Sequence, residues 1–122
     1  MTPETLLLRQ IHPSFIQQGR VTSQAFKPTP KDENKLSVDN GDLIKPSDSW
    51  QRFINNPQCK SDGVMAITAQ ECTNEDLVVI EDANPYPEHC SIDFYGLSNG
   101  QISKKAKTLK MHAENRGWQY KA

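Results

Sequence analysis

Three side chains carry the chemical interest of this chain: Arg9 and His12 in "LLLRQIHPSF", and His89 in "NPYPEHCSIDFYG". Imidazole exchanges a proton near neutral pH. A guanidinium keeps its proton and grips carboxylate or phosphate through a fork of donors. In kind, these groups suffice for phosphodiester transfer, with one imidazole as base, the other as acid, and Arg9 stabilising the charge that develops. Ser23 and Ser37 add hydroxyls in support. Spacing alone does not bring these residues together. Each also has a structural reading: Arg9 as a partly exposed strand arginine or the partner of an acid from residues 71 to 93, and each histidine as a hydrogen-bonded structural residue.

Prolines 85 and 87 fix their own φ angles and push Asn84 and Tyr86 toward extended geometry, so His89 meets its strand along a restricted path. A rigid support of this kind suits a working imidazole. It equally suits an edge strand protected from stray pairing.

The elements that must position these groups follow from periodicity. "TLLLRQI", Thr5 to Ile11, reads as a strand closed by His12-Pro13, with Leu7, Arg9 and Ile11 on one face. A turn follows at Gly19, and "KPTPKDENK" is a polar loop. "KLSVDNGD" is a brief strand with a turn at Asn40-Gly41. "KPSDSWQRFINNP" carries a helix signal, with Ser47 or Asp48 as cap and Trp50, Phe53 and Ile54 as its apolar stripe. Residues 63 to 72 and 77 to 81 read as two strands joined by "TNED" and able to pair as a hairpin. "CSIDFYG" alternates Cys90, Ile92 and Phe94 against Ser91, Asp93 and Tyr95. A long helix then places Ile102, Ala106, Leu109 and Ala113 on one face, capped by Asn99 or Ser103 and closed by Gly117; His112 faces solvent. "WQYK" is a short last strand. The expectation is one α+β domain over 1–122, a mostly antiparallel sheet covered by about two helices.

With 122 residues, the chain is long enough to bury about 65–70% of its unfolded surface. No apolar run is long enough for a membrane helix, and "MTPETLLLRQ" lacks the pattern of a secretory signal. Three cysteines, Cys59, Cys72 and Cys90, are an odd number at irregular spacing, which predicts reduced thiols and a cytoplasmic setting. A net charge of -1 gives no global field toward nucleic acid or anionic membrane, leaving nucleic acid only a local patch. Charge is nevertheless uneven. Residues 71 to 93 hold seven acids and no lysine or arginine, whereas 101 to 122 hold six basic groups and one acid. Lys104 and Lys107 on the long helix are the candidate contacts for an acidic partner, and the "NPYPEH" corner is a second candidate contact surface.

Several chemistries lack their motif. No CxxC or HxxxH spacing exists, and adjacent His89 and Cys90 point to opposite faces, so no metal site is expected. There is no GxSxG elbow and no glycine-rich phosphate loop. No cofactor motif is present.

The pieces "RQIHPSFIQQGRVTSQAF", "KLSV", "AITAQEC", "PEHCSIDF" and "KKAKTLKMHAENRGWQY" resemble a group of small bacterial proteins of unassigned activity. That resemblance covers most of the chain, implies a bacterial single-domain protein, and brings no catalytic residue with it. A fainter resemblance is to ADP-ribosyltransferase-like folds, which would give Arg9 or His12 with Ser37 a role at NAD. The first expectation for function is thus a small binding module with a protein partner of unspecified identity. An exposed strand edge near 118 to 121 permits an oligomer. The second is an enzyme on a phosphate-bearing substrate, either a metal-independent nuclease or an ADP-ribosyltransferase-like protein, using Arg9, His12 and His89.

Overall fold

Apolar alternation in the first strand sorts the molecule into two layers of packing. A computed structural model describes residues 1–122. Its first strand, β1 (Leu6–Gln10), sends Leu7 into an extensive core and Leu8 into a smaller one on the opposite face. A small hairpin, β2 (Ile16–Gln17) and β3 (Arg20–Val21), follows, and then β4 (Lys35–Asn40). Next come α1 (Pro46–Ile54), β5 (Gly63–Thr68), α2 (Ala69–Asn74), β6 (Val78–Ile80), β7 (His89–Asp93), α3 (Asn99–Arg116) and β8 (Tyr120–Lys121). Six strands form one antiparallel sheet in the order β6-β7-β4-β1-β5-β8. The α+β expectation is met.

One face of the sheet packs Leu7, Ile11, Val38, Ile67 and Ile92 against Ile102, Ala106, Leu109 and Ala113 of α3, all of them buried. The other face packs Leu8, Val64 and Ala66 against Leu6, Ile44, Trp50 and Tyr120. Because β5 is covered on both faces, its residues 63 to 67 are buried without alternation.

The central pair, β1 and β4, shares only the two matches Leu7–Asn40 and Leu8–Asp39. Beyond them β4 continues against β7 while β1 continues against β5. The two strands therefore part at Arg9, and the side chain of Arg9 occupies the gap.

Four sequence expectations need correction. The stretch 63 to 72 is not one strand: it becomes α2 after Thr68, and β5 and β6 do not pair but lie in different parts of the sheet. The cause is a capping box. Thr68 Oγ1 accepts from the Glu71 amide at 3.1 Å while Glu71 Oε1 accepts from the Thr68 amide at 2.8 Å. In α1, neither Ser47 nor Asp48 caps; Lys45 holds the cap position with no side-chain bond, and Pro46 supplies the helical φ of the first turn. The start of α3 is capped by Ser98, paired reciprocally with Gln101, one residue before Asn99. His112 is half-buried, its Nδ1 3.3 Å from Glu71 Oε2.

Glu71 is also gripped by both terminal nitrogens of Arg116, at 3.0 and 2.9 Å. Burial opposes ionisation, yet Arg116, the Thr68 amide and His112 together hold its carboxyl below the ordinary 4.5. A depressed carboxyl contributes stability above its unfolded pKa and loses it as pH falls through the folded value. Urea midpoints are expected to hold steady above about pH 5 and to drop below it. Glu71→Gln, which keeps a capping acceptor but not the charge, should flatten that acid limb; equal slopes in both proteins would count against the assignment.

Candidate functional site

The side of the sheet that α1 leaves partly uncovered holds a cleft of about 630 Å³. Its size lies within the range of small-molecule sites. Gln10, Ser37, Asp39 and His89 come from the strands, Arg52 and Phe53 from α1, and His12 and Phe15 from the turn after β1. Pro85 and Tyr86, after the cis Asn84-Pro85 bond, close the remaining wall. Arg9, His12, Ser37 and His89, far apart in sequence, thus line one cavity.

A hydrogen-bonded chain braces the α1 wall. Gln10 Nε2 donates to Ser49 Oγ at 3.0 Å, and Ser49 Oγ donates to Asp39 Oδ2 at 2.6 Å. Arg52 donates to the same carboxylate oxygen at 2.9 Å, donates also to Glu88, and stacks 3.9 Å from the Tyr86 ring centre. Because the Ser49 proton goes to Asp39, Ser49 must accept from Gln10. That fixes the amide and leaves Gln10 Oε1 buried with no partner in the chain. An orphaned buried acceptor costs about 1–3 kcal/mol.

His89 stands at the cleft with its orientation set from behind. Its Nδ1 lies 2.6 Å from Asp82 Oδ1, and Ser91 Oγ donates to Asp82 Oδ2, also at 2.6 Å. Burial opposes the charge on Asp82, but the bonds from His89 and Ser91 hold its carboxyl below the usual value. An ionised Asp82 assigns the ring proton of neutral His89 to Nδ1. The lone pair is then on Nε2, the arrangement of an oriented general base.

His12 has the opposite arrangement. Its Nδ1 accepts from the Ser14 amide at 3.0 Å, so a neutral ring carries its proton on Nε2. The ring meets Phe15 edge-on, centres 5.9 Å apart. A pinned Nδ1 acceptor suits a neutral hydrogen-bond donor better than a proton-donating imidazolium, because protonation would break the Ser14 bond. The two histidines thus differ in how Nδ1 is held: it faces the Asp82 carboxylate in His89 and accepts from the Ser14 amide in His12.

Arg9 finds no carboxylate partner among residues 71 to 93. Nε donates to the Ala25 carbonyl at 2.7 Å and Nη1 to the Ser37 carbonyl at 3.0 Å, in the gap between β1 and β4. Burial lowers its pKa to about 10, partly offset by Asp32, which leaves it charged at neutral pH. These carbonyls take two of its five donors and do not cancel its charge.

Other candidates lie elsewhere. Ser23 is half-buried in the short turn Ser23–Phe26 and does not line the cleft. Lys104 and Lys107 are exposed on α3, on the far side of the sheet, whereas Lys110 pairs with Glu114 at 3.1 Å and Lys105 donates to the Glu75 carbonyl. All three cysteines are free thiols; burial raises Cys72 to about 12 and Cys90 to about 11. No three His, Cys, Asp or Glu side chains gather as a metal site would require. No helix is long and apolar enough to cross a membrane.

Sequence reasoning missed the roles of Asp82, Asp39 and Arg52, and reached Tyr86 only as part of the stiff "NPYPEH" corner. Of the three missed, only Asp82 left a sequence signal, lying within the acid-rich stretch before His89. Comparison with protein-family models, with curated proteins and with solved structures finds no match.

Proposed function

We propose that the protein is an enzyme that cleaves or transfers a phosphodiester by general-base catalysis from His89. The supporting observation is the Asp82–His89 pair, which leaves Nε2 free at a cleft that also holds His12 and Arg9. Among the cations of its lining, Arg52 is already paired with Asp39 and Glu88, which leaves Arg9 and Lys60 without a carboxylate partner and favours an anionic substrate.

A hydroxyl oxygen of the substrate or of water attacks phosphorus and its proton passes to His89 Nε2. The new P–O bond forms as the bond to the leaving oxygen breaks. The imidazolium, stabilised by Asp82, returns the proton to that oxygen. His12 Nε2–H and the Arg9 charge stabilise the equatorial oxygens. An NAD-using transferase is less well supported, since Glu88, the glutamate beside His89, is tied to Arg52.

Lys104 and Lys107 sustain a second reading, a surface for an acidic partner, because neither has an ion-pair partner within the chain. One experiment separates the two. Purified protein is assayed on ribodinucleoside monophosphates across pH, alongside the Lys104→Glu/Lys107→Glu variant. Turnover that rises with pH to a plateau, as a single general base requires, and that is unaffected by the lysine changes, is expected. No turnover at any pH would overturn the catalytic reading.

A further inference from the structure

Beside the cleft lies a smaller recess of about 210 Å³, and Arg9, Phe15 and Ser37 line both. The gap between β1 and β4 therefore opens two ways, with the guanidinium at the junction. The recess gathers Arg9, Lys27 and Lys35 against one carboxylate, Asp32, which also accepts from Thr29 Oγ1 at 3.0 Å. Three cations less one anion leave its lining at +2. Lys27 has no ion-pair partner, and Lys35 reaches only the exposed Glu33, at 3.6 Å. In a chain whose net charge is -1, such a concave, weakly compensated cationic patch focuses field toward an anion.

We propose that this recess is a second anion subsite and that the substrate is a single-stranded ribonucleotide chain. One phosphate sits at His89, and the neighbouring phosphate crosses Arg9 toward Lys27 and Lys35. The proposal rests on the phosphodiester reading and narrows it. Phe15 borders both recesses and lies 5.9 Å from the Arg9 guanidinium, where its ring offers a stacking surface to the base between the two phosphates. No side-chain hydroxyl is hydrogen-bonded to His89, which is consistent with a nucleophile that arrives with the substrate, namely the ribose 2′-hydroxyl. Its attack forms a 2′,3′-cyclic phosphate and releases the next ribose 5′-oxygen, protonated by His89.

Binding tests the subsite without requiring turnover. Affinities are measured by competition fluorescence anisotropy for 2′-O-methyl oligonucleotides, which cannot be cleaved this way, bearing one or two internucleotide phosphates. In the native protein the second phosphate should tighten binding about tenfold and steepen the salt dependence by about 0.7 in log–log slope. Lys27→Gln/Lys35→Gln should erase both increments while leaving affinity for the one-phosphate ligand within about twofold, with unchanged thermal unfolding as the fold control. Loss of the increment in the variant supports the subsite even if no cleavage is ever seen, in which case only the catalytic reading falls. An increment that survives in the variant, or no increment in the native protein, removes the subsite and leaves cleavage of dinucleotides to be judged separately. Failure of the native protein to bind either ligand overturns both.

Discussion

Replacing His89 with alanine is expected to lower turnover of a ribodinucleoside monophosphate by about 10²–10⁴-fold, the usual worth of a positioned general base. The fold should survive, since the bond lost is to Asp82, a residue at the molecular surface. Asp82→Asn is the sharper diagnostic. An amide can donate to Nδ1, driving the ring proton to Nε2 and abolishing the lone pair at the cleft, so a loss on the order of 10² or more is expected. The pH profile of Asp82→Asn should change shape as well as height, which a merely structural role would not produce. Unaltered turnover in His89→Ala would remove the base and with it the mechanism.

The second large effect falls on stability. Gly63 begins β5 with φ +152°, and a Cβ there would stand 2.3 Å from the Tyr120 carbonyl oxygen and 3.0 Å from the Trp118 ring. The obstruction is backbone, which cannot swing aside. Gly63→Ala is expected to cost roughly 2–5 kcal/mol through backbone strain and overpacking. That corresponds to a fall in Tm on the order of 10 °C or more. The site should feel it too. The Gly63 carbonyl accepts from the Ile11 amide at 3.0 Å, anchoring the end of β1 immediately before His12. Calorimetry checks the first part; a Tm within about 2 °C of the native value would contradict it.

Much of the scaffold was legible because its signals are local. Alternation in "LLLRQ" and "CSIDF" separates two faces, and the spacing of Ile102, Ala106, Leu109 and Ala113 gives the buried stripe of α3. The hairpin reading of 63 to 81 failed although its remedy was visible: Thr68 and Glu71 are a capping box that ends β5 and starts α2. Apolar content masked the cap. A capping box fixes backbone geometry over a single turn, which outweighs strand propensity in a segment that short.

The site was legible only as a set of residue types. Arg9, His12 and His89 stood out as costly or stiffly held groups and Ser37 as a supporting hydroxyl, and the four do share a cleft. Ser23, Lys104 and Lys107 stood out equally and do not. By itself the sequence determined an α+β domain, its buried faces and an excess of acids before His89. The tertiary structure alone decided that β1 and β4 part at Arg9, that Asp82 orients one imidazole, and that Ser14 pins the other. Periodicity assigns a side chain to a face, but the neighbours it meets there depend on strand order and register, which are set by contacts between distant segments.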